Sequence, residues 1–125
     1  MAVFLQVKAQ PATDDALQQR LDSLKQQSQV DTALVQTYFN LAHYYLRQDS
    51  AKTSYYANRA FEVADSIDSE LGRSIGNMAL GLHHIIQGNY TLGLKHSYEA
   101  ESAFEAHQED EYLAMLYSYI GIGYS

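Results

Sequence analysis

The chain has 125 residues, no cysteine, one proline and a formal charge of -7, from eight Lys and Arg against fifteen Asp and Glu. These figures exclude disulfides, thiol catalysis and thiolate metal sites, argue against a phosphate-tracking nucleic-acid surface, and bound the chain at one domain. No run approaches the roughly 18 apolar residues that a bilayer-crossing helix needs, so no membrane span is expected within these limits.

Residues 1–12 are expected to be a flexible tail or the remnant of an export signal. The second reading rests on a short apolar run and on Val7-Lys8-Ala9, which place small or modest residues before a cut ahead of Gln10. The first rests on the general fraying of chain ends. Thr13-Asp14-Asp15 then offers a helix cap with acidic residues in the first turn, and Leu17, Leu21 and Leu24 follow at helical spacing to about Gln27. One leucine stripe suits a helix that seals the end of a stack.

From Asp31 to Gln48, Leu34, Tyr38, Leu41, Ala42, Tyr45 and Leu46 form one face of a first inner helix. A second helix, from about Ala51 to Ile67, is expected to bury Tyr56, Ala57, Ala60, Phe61 and Ala64, the alanines allowing close helix approach. Asp68-Ser69 opens a second inner helix that runs to Gln87, and Gly88-Asn89 stops it in a left-handed turn. Its partner runs from about Tyr90 to Ala106, with Leu94, Ser97, Tyr98, Ala100, Ala103 and Phe104 inward. A third inner helix follows Glu109-Asp110, with an apolar stripe of Leu113, Leu116, Tyr117 and Ile120. That stripe is expected to be only half covered, which marks the C-terminal end as truncated. The acidic run from Glu99 to Glu111 is read as a solvated helix face.

The inner helices repeat. Leu41-Ala42, Leu80-Gly81 and Ile120-Gly121 align at spacings of 39 and 40 residues, with Tyr38, Asn77 and Tyr117 four residues before the small residue and Tyr45, His84 and Tyr124 three after it. A period between about 20 and 50 residues signals a stacked helical array. The second unit, Leu80-Gly81, His84, Gly88-Asn89-Tyr90, Gly93 and Ala100, resembles a tetratricopeptide repeat. It departs from that pattern in lacking Trp and Pro and in exceeding the usual period of about 34 residues.

The resemblance implies an all-α, antiparallel helix-hairpin solenoid of about two and a half repeats over residues 13–125, behind an N-terminal capping helix. It is similar to the N-terminal regions of bacterial tetratricopeptide-containing sensor histidine kinases and membrane-bound regulators. That implies a protein-protein interaction module, periplasmic and part of signal transduction. A cytoplasmic adaptor or scaffold and a homo-oligomerisation module are the alternatives. The implied partner is a protein or peptide, a neighbouring domain, or a second copy in a homodimer.

By the same resemblance, the groove positions are Phe39, His43 and Leu46, then Met78, Leu82 and Ile85, then Met115, Ser118 and Ile122. Core packing is the competing reading, above all for Leu82 and Ile85. These positions hold no Lys, Arg or Asn, so a clamp for acidic peptide ends is not expected. Neither is a metal centre or cofactor, because the adjacent His83 and His84 point about 100° apart on a helix. No Gly-rich phosphate loop, G-x-S-x-G or H-E-x-x-H is present, so this segment is not read as an enzyme.

Overall fold

A computed structural model describes residues 13–26 and 31–124. Within them the chain is all-α, in six helices: α1 (Asp14–Lys25), α2 (Thr32–Tyr44), α3 (Ser50–Asp65), α4 (Glu70–Ile86), α5 (Tyr90–Ala106) and α6 (Asp110–Tyr124). The export-signal reading of residues 1–12, the expected helix end at Gln27 and the side chain of Tyr124 lie outside what is described.

Polar side chains set the starts of α1 to α4. Thr13, Asp31, Asp49 and Ser69 each accept a hydrogen bond from a backbone N–H of the first turn, at 3.2, 3.0, 3.1 and 3.0 Å. The stops of α4 and α5 use a shared device. After α4, Gly88 adopts φ +82, and the N–H groups of Gly88 and Asn89 reach back to the Ile85 and His84 carbonyls. After α5 the same pattern recurs on Gln108, a non-glycine residue at φ 57, with Glu109 N–H donating to the Phe104 carbonyl at 2.9 Å.

Helix α2 stops four residues before Gln48, the end expected from its periodicity. Leu46 N–H turns back to the His43 carbonyl, and the N–H groups of Gln48 and Asp49 both donate to Tyr45. This tight turn takes Leu46, Arg47 and Gln48 out of the helical register.

Each helix packs on the next, and α2 and α6 also pack on α4. Successive helices run antiparallel, as the close contacts require: Thr53 at the start of α3 meets Ala42 near the end of α2, and Gly93 at the start of α5 meets Gly81 in the second half of α4. Small residues allow this approach. A Cβ on Gly81 would lie 2.9 Å from the Gly93 carbonyl oxygen and 2.7 Å from Ser97 Oγ, so only hydrogen fits there. The core between the helices is built from Val35, Tyr38, Phe39, Leu41, Ile75, Met78, Leu82, Phe104 and Leu116.

Helix α1 covers the outer end of the first hairpin. Leu17, Leu21 and Leu24 are buried, Tyr45 donates its hydroxyl to Asp14, and Gln18 Nε2 donates to the Tyr56 hydroxyl at 2.7 Å. Tyr56 stacks on Tyr45 (6.0 Å, 13°) and on Tyr38 (6.4 Å, 29°), so the tyrosines form a continuous seam beneath α1.

Three faces differ from expectation. On α3, Thr53, Ser54 and Val63 join the alanines in the core, while Tyr56 and Phe61 are half-buried at its margin. On α5, Tyr98 is exposed. On α6, Tyr119 is buried in place of Tyr117, which is 48 % exposed. The inward stripe is the partly buried Tyr112 with the buried Leu116 and Tyr119, spaced four and three residues apart, and it turns α6 toward α2 and α4; Tyr117 is left facing Glu101 and Glu105.

Candidate functional site

Helices α2 and α6 do not touch along their backbones, yet their side chains meet across α4. Gln36 Nε2 donates to the Tyr112 hydroxyl at 2.9 Å, and two turns further along both helices His43 Nδ1 pairs with the Tyr119 hydroxyl. Both bridges join residues at the same separation in sequence, so α2 and α6 run parallel in register. The Tyr119 ring stands edge-on to Phe39 (6.2 Å, 63°) and beside His43 (5.9 Å), and His43 stacks on Phe39 (6.3 Å, 27°).

This aromatic bridge borders a cleft of about 340 Å³ lined by His43, Tyr44, Leu46, Arg47, Gln48, Ser118, Tyr119 and Ile122. Its size falls within the roughly 300 to 1,000 Å³ of small-ligand sites. A smaller depression of about 120 Å³ lies between α3 and α4, against Phe61, Ala64, Asp65, Arg73 and Asn77.

Of the nine candidate groove residues, the structure gathers His43, Leu46, Ser118 and Ile122 around this one cleft. Phe39, Met78, Leu82 and Ile85 are buried in the core, where they hold α4 against its neighbours and offer no surface to a ligand. Met115 is partly buried against the core and does not line the cleft. No residue of the central unit lines the cleft; the outer two supply its walls. Arg47, Gln48, Tyr44 and Tyr119 complete the site. The first two follow the early end of α2, which helical periodicity carried through Gln48; Tyr119 follows the rotation of α6.

Burial, reinforced by the Arg47 charge, holds the His43 pKa below its usual value, so the ring is neutral near pH 7. Burial pushes the Tyr119 hydroxyl upward, so it stays protonated. Both groups are uncharged in this bond, and which of them donates follows the His43 tautomer. Arg59 and Arg73 each have a carboxylate within 3.1 and 3.5 Å, whereas Arg47 in the cleft wall, like Arg20 on α1, forms no ion pair among the described residues.

The remaining histidines lie apart from the cleft. His84 stacks on His96 (5.7 Å, 14°) and touches the His83 ring at 5.1 Å, while His83 Nδ1 lies 3.4 Å from Asn58 Nδ2. Among the described residues no group of three or more His, Cys, Asp or Glu is placed to hold a metal ion. No described helix is long and apolar enough to cross a membrane. No family model, curated protein or solved structure matches this chain.

Proposed function

We propose that this domain is a binding module, a tetratricopeptide-like helical array whose ligand-contact surface is the cleft between α2 and α6. The observation that carries the reading is the in-register bridge of Gln36–Tyr112 and His43–Tyr119, which makes one concave wall from the first and third units. The repeat positions support the array: Ala42 and Gly81, equivalent by period, each meet the helix that follows, through Thr53 and through Gly93 with Ser97. A signalling role, as the extracytoplasmic input segment of a bacterial regulator acting through a protein partner, follows from sequence resemblance alone. A cytoplasmic adaptor is its alternative.

The test is photo-crosslinking in the native cells. A photoreactive residue at Ile122 should trap an adduct of one defined mass, and Ser118→Trp, which fills the cleft, should remove it. The same probe at Tyr55, exposed on α3, should not trap that species. Equal trapping at both positions would refute the cleft as the contact surface.

Self-association is a second reading, favoured by the exposure of Tyr117 on α6. A dimer persisting at low micromolar concentration in sedimentation, and dissociated by Tyr117→Lys, would support it. A monomer throughout would dismiss it.

A further inference from the structure

We infer that the α2–α6 cleft takes a small organic carboxylate, its anionic head on Arg47 and its compact apolar body between Leu46 and Ile122. This rests on the reading of the cleft as a ligand surface and adds the chemistry of what enters it.

The sign of the charge comes first. The chain carries -7 overall, but the cleft walls hold no carboxylate and one guanidinium without an ion pair among the described residues. A planar guanidinium matches a carboxylate with two parallel hydrogen bonds. The Tyr44 hydroxyl adds a neutral donor in the same walls, while the Ser118 hydroxyl already donates to the Ala114 carbonyl at 3.3 Å.

The C-terminal end of α2 carries partial negative charge, which opposes an anion. Its last carbonyls are already occupied. Ala42 accepts from Thr53 Oγ1 at 2.9 Å, Tyr44 from Gln48 Nε2 at 3.2 Å, His43 from Leu46 N–H, and Tyr45 from the N–H groups of Gln48 and Asp49. These bonds leave the full charge of Arg47 dominant. They also account for Gln48, whose amide caps the helix.

The size of the ligand follows from the walls. The rings of Tyr119 and His43 close one side of the cleft, and a volume of about 340 Å³ admits a small molecule or one large side chain, not a helix. Leu46 and Ile122 give the body an apolar seat.

The experiment uses three probes with the same body: 4-phenylbutyrate, 4-phenylbutanol and 4-phenylbutylamine. Each is titrated into the protein while amide shifts of residues 43–48 and 118–122 are followed by NMR. The expected result is saturable binding of the acid, weaker binding of the alcohol and none of the amine. Arg47→Gln should weaken the acid about tenfold, as loss of a charge-assisted pair implies, and leave the alcohol unchanged. Arg59→Gln serves as the surface control, and Ser118→Trp should abolish all binding.

If acid, alcohol and amine bind alike and Ser118→Trp removes them, the cleft is a ligand site but the carboxylate inference is overturned. If none of the probes shifts these amides, the inference is overturned and the crosslinking result decides the cleft reading separately. A peptide ending in a free Phe carboxylate, compared with its amide, separates the sources. Tighter binding of the peptide acid than of 4-phenylbutyrate would assign the carboxylate to a chain end and overturn the small-molecule claim.

Discussion

The same substitution at two repeat-equivalent glycines should have opposite signs. In Gly81→Ala the new methyl lies 2.7 Å from Ser97 Oγ, 2.9 Å from the Gly93 carbonyl oxygen and 3.2 Å from the Ser97 nitrogen. Two of these atoms belong to the α5 backbone, so helices α4 and α5 must part. Overpacking of this kind costs about 1 to 3 kcal/mol, and two backbone contacts put it near the upper end. Replacing a helical glycine by alanine returns about 1 kcal/mol. The net loss is then about 2 kcal/mol. In Gly121→Ala the methyl meets nothing within 4 Å, so only the helix-propensity gain remains, about 0.5 to 1 kcal/mol near a helix end. Thermal unfolding followed by circular dichroism reads the difference directly. At roughly 4 °C per kcal/mol for a domain of this size, Gly81→Ala should lower Tm by about 8 °C and Gly121→Ala should raise it by about 3 °C. Shifts of the same sign and size would refute the packing of α4 on α5 described above.

Other outcomes follow from single contacts. Gln108→Gly should stabilise by about 0.5 to 1 kcal/mol in urea melts, because glycine relieves a left-handed residue between α5 and α6; a loss would mean that Gln108 has a compensating contact. Thr53→Val should cost about 1 to 2 kcal/mol, since it leaves the buried Ala42 carbonyl without its donor; an unchanged urea midpoint would contradict that bond. Burial holds His43, His83 and His96 below their usual pKa. The unfolded chain therefore binds more protons than the folded one just below pH 6.5, and stability should fall as pH drops from about 7.5 to 5.5. An unchanged or higher urea midpoint at the lower pH would refute this.

Helix positions were legible in the sequence because capping and periodicity act over a few residues. Thr13, Asp31, Asp49, Ser69 and Gly88 announce their roles through short side chains or glycine and need no partner from elsewhere. Rotation about the helix axis was less legible. Tyr117 and Tyr119 are both large rings on α6, and period alone aligns Tyr117 with Tyr38. Tyr38 is buried because Tyr56, Lys25 and Arg59 close over its ring, whereas Tyr119 has Phe39 and His43 to receive it. Long-range partners decided the face. The cleft was half legible for the same reason: His43, Leu46, Ser118 and Ile122 follow from repeat position, but Arg47 enters through a turn that helical spacing did not reveal.

The bridge between α2 and α6 carries both the fold and the candidate site, and one NMR measurement tests it. With Tyr119 ring-labelled, cross-relaxation peaks should connect it to the Phe39 and His43 rings, whose centroids lie 6.2 and 5.9 Å away. Peaks from Tyr119 to residues of α5 or to none, with Tyr117 instead contacting α2, would contradict the register of α6 and remove the cleft with it.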